Sequence, residues 1–176
     1  MRAGALVLVF GLFADVYGAN LDDLIAALDT NQTIWLYNKS YQNNQDDLHP
    51  TCVRWHRKTI SKTLYTFDND FKNDGEYYTD YNTNATLSDK TNSAEMNITY
   101  IREGHETTSV LYKLDMWNET DKCFILTLGN NNGGKVKCEL HLWHEKWNKD
   151  HPSCEARFQK ICEGQKVEVF SQHACM

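Results

Sequence analysis

From Thr33 to Trp143 the chain keeps returning to a period of two, the side-chain repeat of a β-strand, and this narrows its possible folds more than any other feature. Thr33–Tyr41 sets Trp35, Tyr37 and Tyr41 on one face against Ile34, Leu36 and Asn38 on the other. Glu95–Ile101 sets Met96, Ile98 and Tyr100 against Glu95, Asn97 and Thr99. Ser109–Trp117 sets Val110, Tyr112, Leu114 and Met116 against Leu111, Lys113, Asp115 and Trp117. Cys52–His56, Ile60–Phe67, Glu76–Tyr81, Lys122–Leu128 and Lys135–His144 are further strands. The run Gly129 to Gly134 is predicted to join the last two as a hairpin turn, because Gly and Asn accept positive φ. Eight antiparallel strands in meander order predict a closed barrel whose interior holds side chains or one small ligand.

Helical periods flank this block. Asn20 is placed to cap a short N-terminal helix whose stripe is Leu21, Leu24, Ile25 and Leu28. A C-terminal helix starts at Pro152 and carries Cys154, Phe158, Ile161 and Cys162 on one face. Val167–Phe170 is a short closing strand. The expected architecture is all-β with flanking helices.

The first residues read as a targeting signal. Arg2 is a short positive region, Ala3–Phe13 is apolar, and cleavage is expected after Gly18. Residues 1–18 are thus a signal peptide and 19–176 a single domain, secreted and extracellular. No apolar run is long enough for a membrane span. Eighteen basic against 24 acidic residues, with no basic cluster, argue against nucleic acid.

Secretion sets the meaning of six cysteines: Cys52, Cys123, Cys138, Cys154, Cys162 and Cys175. An even count in an oxidising compartment predicts three disulfides, and the residues alone leave about 15 connectivities open. Five sequons, at Asn31, Asn38, Asn84, Asn97 and Asn118, predict N-glycans, with Asn38 and Asn97 expected to point outward.

Catalytic and metal patterns fail on inspection. No C-x-x-C occurs, and His141 and His144, three apart on a strand, point to opposite faces. A Cys–His nucleophile would strand an odd thiol, and no G-x-S-x-G elbow or paired-carboxylate motif is present. No enzyme activity, metal or cofactor is expected.

The run Thr33-Ile34-Trp35-Leu36-Tyr37-Asn38-Lys39-Ser40-Tyr41, followed by Thr51-Cys52-Val53, resembles the first strand and second-strand cysteine of tick salivary lipocalins. Lys137-Cys138-Glu139-Leu140-His141-Leu142-Trp143 is similar to their last barrel strand, and Pro152-Ser153-Cys154 and His173-Ala174-Cys175 match further landmarks. The family is the histamine-binding protein group, japanin-like immunomodulators among its relatives. It implies an eight-stranded lipocalin barrel, a monomer, with Cys52 joined to Cys175 and Cys123 to Cys154. Cys138 and Cys162 are then the remaining pair. An apolar outer row on the last strand, covered by the C-terminal helix, would also bring those two thiols together. The resemblance implies capture of a small host inflammatory mediator, an amine such as histamine or serotonin, during blood feeding. Lining residues carried over, or drawn from the alternation, are Trp35, Tyr37, Tyr41, Tyr112, Leu114, Glu139, His141 and Trp143, with Glu139 the expected amine contact. Several acids of the amine binders are missing here, Leu114 and Phe124 among the replacements. The alternative is therefore a lipid (cholesterol, fatty acid or leukotriene) and an immunomodulatory action through a host immune-cell protein.

Overall fold

The computed structural model describes residues 19–42, 49–91, 93–101, 106–129, 135–162 and 166–176. The signal-peptide segment and most of the Gly129–Gly134 turn lie outside the described residues. Helix α1 (Leu21–Leu28) is started by a reciprocal cap in which the Asn20 side chain accepts from the Asp23 N–H and Asp23 accepts from the Asn20 N–H. Nine strands follow: β1 (Ile34–Lys39), β2 (Thr51–Ile60), β3 (Leu64–Asn73), β4 (Glu76–Lys90), β5 (Ser93–Tyr100), β6 (Thr108–Asn118), β7 (Cys123–Leu128), β8 (Cys138–Trp143) and β9 (Val167–Glu168). Helix α2 (Pro152–Ile161) precedes β9, and α3 (Gln172–Cys175) ends the chain.

The sheet runs β2-β3-β4-β5-β6-β7-β8-β1, and a β1–β2 pairing closes it into an eight-stranded antiparallel barrel. The expected third strand, Ile60–Phe67, is corrected: Ile60 ends β2, and Ser61–Thr63 form a hairpin held by the Ser61 side chain. Between β3 and β4, Asp74 (φ 49°) and Gly75 (φ 89°) form the tight turn that two positive φ values permit.

Two layers of apolar packing result. Inside, Ile34, Trp55, Tyr65, Phe67, Met96, Ile98, Leu114, Phe124 and Leu126 form one core, with α1 closing the lower end through Leu24, Ala27 and Leu28. Outside, α2 lays Phe158 and Cys162 over Ile125, Cys138, Leu140 and Leu142. The C-terminal segment lays Phe170 over Trp35 and Cys52. Disulfides join Cys52–Cys175, Cys123–Cys154 and Cys138–Cys162, the pairs that the family resemblance implies.

Trp35 and Tyr37 correct the expected facing of the first strand. Trp35 packs on Phe170 (centroids 4.8 Å apart) and donates from Nε1 to His144 Nδ1 at 3.1 Å, and Tyr37 meets His151 edge-on at 5.0 Å. Both lie outside the barrel, under the C-terminal cover. β1 is buried on both faces, so alternation marks two faces without telling which is inner. A bulge at Tyr37 then shifts the register, pairing Asn38 with Leu140 on the outer side and Lys39 with Glu139 on the inner. A second bulge at Asp115 turns Met116 outward against the α2 layer and Trp117 inward, reversing the expected phase at the end of β6.

Asn38 is 2% exposed beneath β9, so the expectation of a solvated sequon there is corrected; Asn31 and Asn84 are exposed and Asn97 and Asn118 half-exposed. Peptide mapping of secreted protein should find sugar among these four and none on Asn38. A glycan on Asn38 would mean that β9 does not cover β1. Of the disulfides, Cys52–Cys175 spans 123 residues and Cys138–Cys162 spans 24. Replacing the first pair by serines should therefore cost about 1.5 kcal/mol more than replacing the second, read by urea unfolding.

Candidate functional site

Glu139 and His141 are two apart on β8 and so share its inner face. Glu139 is 4% exposed and His141 fully buried. The Tyr41 hydroxyl, from just beyond β1, donates to Glu139 Oε1, and Tyr112, from β6, donates to the same atom at 3.2 Å. His141 Nε2 meets Oε2 at 3.1 Å. Lys39, the cross-strand partner of Glu139, is buried, with Nζ 5.4 Å from the centre of the Tyr41 ring. Lys137 reaches the same ring at 5.6 Å.

The His141 ring is fixed between two aromatic planes: Phe124 stacks on it at 4.9 Å and 6°, and Trp55 lies 4.6 Å away. That sandwich aims Nε2 at the carboxylate. The carboxylate has no proton to give while ionised, so a neutral His141 carries its proton on Nε2 and leaves Nδ1 an acceptor. Nδ1 is buried without a protein partner, as are Asn69 Oδ1 and the Tyr65 hydroxyl on the same inner surface. Asn69 gives its amide N–H to Asp80 at 3.0 Å, which leaves its oxygen as the unused atom.

Burial alone would raise the Glu139 carboxyl, yet it lies below its ordinary value of 4.5. His141, through its hydrogen bond and its charge when protonated, and the two tyrosine hydroxyls outweigh desolvation. Burial and the Glu139 charge together push the Tyr41 and Tyr112 phenols up, so both remain donors at any physiological pH.

Of the lining residues expected from sequence, Tyr41, Tyr112, Glu139 and His141 converge, and Leu114 lies inside beside them in the core. Trp35 and Tyr37 do not join them. Trp143 faces inward but at the closed end, where Nε1 donates to the Ala27 carbonyl at 2.9 Å and the ring packs on Trp117 at 5.4 Å. It holds α1 in place and is remote from Glu139. Sequence reasoning missed Trp55 and Asn69. The signal for Trp55 was its place as a large apolar residue in an otherwise polar stretch of β2, Arg54–Lys58; no feature of residue type marks Asn69.

Because the folded Glu139 carboxyl titrates below 4.5, the stability it contributes is present above that pH and is lost as pH falls through the folded value. Tyr112→Phe should therefore cost about 1.5–3 kcal/mol at neutral pH, the usual worth of a hydrogen bond to a charged group. The loss should shrink once the carboxyl is protonated. Urea unfolding across pH measures it, and a loss independent of pH would show that Tyr112 acts by packing alone.

Among the described residues no cluster of His, Cys, Asp and Glu has the arrangement of a metal site, and no helix is long and apolar enough to cross a membrane. The family model for tick histamine binding protein matches residues 15–176. A search of the curated proteins gave no match. The solved structure of japanin from Rhipicephalus appendiculatus, bound to cholesterol, superimposes with a TM-score of 0.55 at 16% identity, over 84% of this chain and 97% of that one. Insecticyanin from the tobacco hornworm Manduca sexta does so at 0.55 and 13% identity, over 86% and 83%. These two likenesses establish the lipocalin fold. Members of the matched family are secreted ligand carriers rather than enzymes. With its barrel, its three disulfides and a family match over nearly its whole length, the chain belongs to the tick histamine-binding protein family.

Proposed function

We propose that this lipocalin sequesters a small host inflammatory mediator, a biogenic amine of the histamine or serotonin kind, and so suppresses host defence during blood feeding. The observation that carries this reading is a buried, ionised carboxylate on the inner wall of the barrel. Glu139 is held ionised, and Asn69 Oδ1 is buried with no donor to satisfy it among the described residues. A buried acceptor without a partner is costly, so a guest rich in N–H groups is the one this interior favours. Trp55 and Phe124 supply aromatic faces for its ring and charge. Tyr41, Tyr112, Leu114, Glu139 and His141 are the proposed contacts, and residues 1–18 the leader that sends the chain to saliva.

A second reading has its own observation. Much of the interior is apolar (Phe67, Met96, Ile98, Leu114, Phe124), and japanin, which shares the barrel, was solved with cholesterol. A lipid held by area and shape, in a protein that acts on host immune cells through a protein partner, fits that lining.

Calorimetry with histamine, serotonin, cholesterol and a leukotriene separates the two. Glu139→Gln should cost an amine about 2–5 kcal/mol, the range for breaking a buried charge pair, and leave a sterol nearly unaffected. Tight cholesterol binding without amine binding would transfer the function to the lipid reading. Binding of neither class would leave the protein-partner role.

A further inference from the structure

Lys39 differs from every other lysine among the described residues in being buried, at 6% exposure. Other lysine ammonium groups have anionic or carbonyl partners: Lys58 with Asp68 at 2.8 Å, Lys166 with Glu155 at 3.6 Å, Lys72 with the Ala174 carbonyl at 3.3 Å. Lys39 has the Tyr41 ring beneath it at 5.4 Å and no hydrogen-bond acceptor among the described residues. It also lines a cleft of about 200 Å³ at the open end, together with Gln42, His49, Thr51 and Glu168. This cleft lies where β9 fills the gap between the splayed ends of β1 and β2. An amine so placed borders a cleft open to a small molecule, is shielded from bulk water, and has no hydrogen-bond acceptor among the described residues.

We propose that Lys39 is a covalent capture point for small aldehydes, which enter by this cleft and condense with its amine to an imine. The Nζ lone pair adds to the carbonyl carbon, and the nitrogen's two protons end on the carbonyl oxygen, which leaves as water. One C=N bond replaces one C=O bond, nothing is oxidised or reduced, and the reaction reverses by hydrolysis. His49, on the cleft wall, and the carboxylate of Glu139, opposite Lys39 across the strands, are the acid–base groups at hand. A protonated imine would keep Glu139 as its counter-charge. Burial lowers the Lys39 amine from its usual range, against the pull of Glu139, which enlarges the neutral, nucleophilic fraction. This goes beyond the proposed amine or lipid binding and does not depend on it.

The test is reductive trapping of the native, full-length secreted protein with hexanal and cyanoborohydride at neutral pH, followed by peptide mapping. Lys39 should be alkylated several-fold faster than the exposed Lys62 and Lys149, and the preference should vanish in denaturant. Lys39→Arg, which keeps the charge and removes the nucleophile, should abolish the fast phase while amine or cholesterol binding continues to be read separately. Labelling of Lys39 at or below the rate of Lys62 and Lys149 in the folded protein would overturn the proposal. So would a fast phase that survives in Lys39→Arg.

Discussion

The barrel depends on how its seam is closed. β1 pairs with β2 on only two rungs, Ile34 with Trp55 and Trp35 with Arg54, before the two strands splay apart. A sheet with an open edge would present unpaired backbone to solvent, and here the chain's own C-terminal segment takes the gap. β9 pairs with β1 at Asn38 and Lys39, the Cys52 N–H donates to the Val169 carbonyl at 2.8 Å, and Cys52–Cys175 fixes the end of the chain to β2. Everything on β1 follows from this cover. Its outer face becomes a second core, its bulge at Tyr37 re-aims Lys39 inward, and Tyr41 is delivered over Glu139.

Within the barrel, cost and function are coupled. Placing Glu139, His141 and Lys39 inside a barrel stabilises nothing by itself, since desolvating charge opposes folding. The network offsets that cost with three donors to one carboxylate, and it holds those donors in fixed places before any ligand arrives. Satisfaction is incomplete: among the described residues, His141 Nδ1, Asn69 Oδ1 and the Tyr65 hydroxyl on the inner wall lack a hydrogen-bond partner, as does Asn38 Nδ2 under the C-terminal cover.

How much of this the sequence discloses depends on whether an element has one buried face or two. β5, with alternating buried and half-buried positions, reads correctly: Met96 and Ile98 are in the core and Asn97 is outside. The last strand is legible too, because Glu139 and His141 against Cys138, Leu140 and Leu142 separate polar from apolar even though both faces are buried. β1 offers no such contrast. Trp35 and Tyr37 look like pocket aromatics, and only the C-terminal cover, a long-range contact, places them outside. The bulges at Tyr37 and Asp115 break the period without leaving a mark in residue type, and β4 extends through a polar stretch that has little strand propensity. The Asp-Gly pair at 74–75 carries a hairpin signal between β3 and β4 that the sequence reading does not use.

His141 joins the two halves of the interior. On one side it is held by the rings of Phe124 and Trp55, and on the other it meets Glu139, which Tyr41 and Tyr112 also bind. An imidazole held flat against Phe124 and beside Trp55 cannot tilt toward a partner for Nδ1 without giving up its ring contacts, and a flip within its own plane would break the bond to Glu139. The stacking therefore keeps one nitrogen spent and the other available. A change in ring packing at Trp55 or Phe124 would reach Glu139 through His141, even though neither aromatic is hydrogen-bonded to the carboxylate. Apolar packing around the imidazole thus sets the geometry of the polar cluster at Glu139.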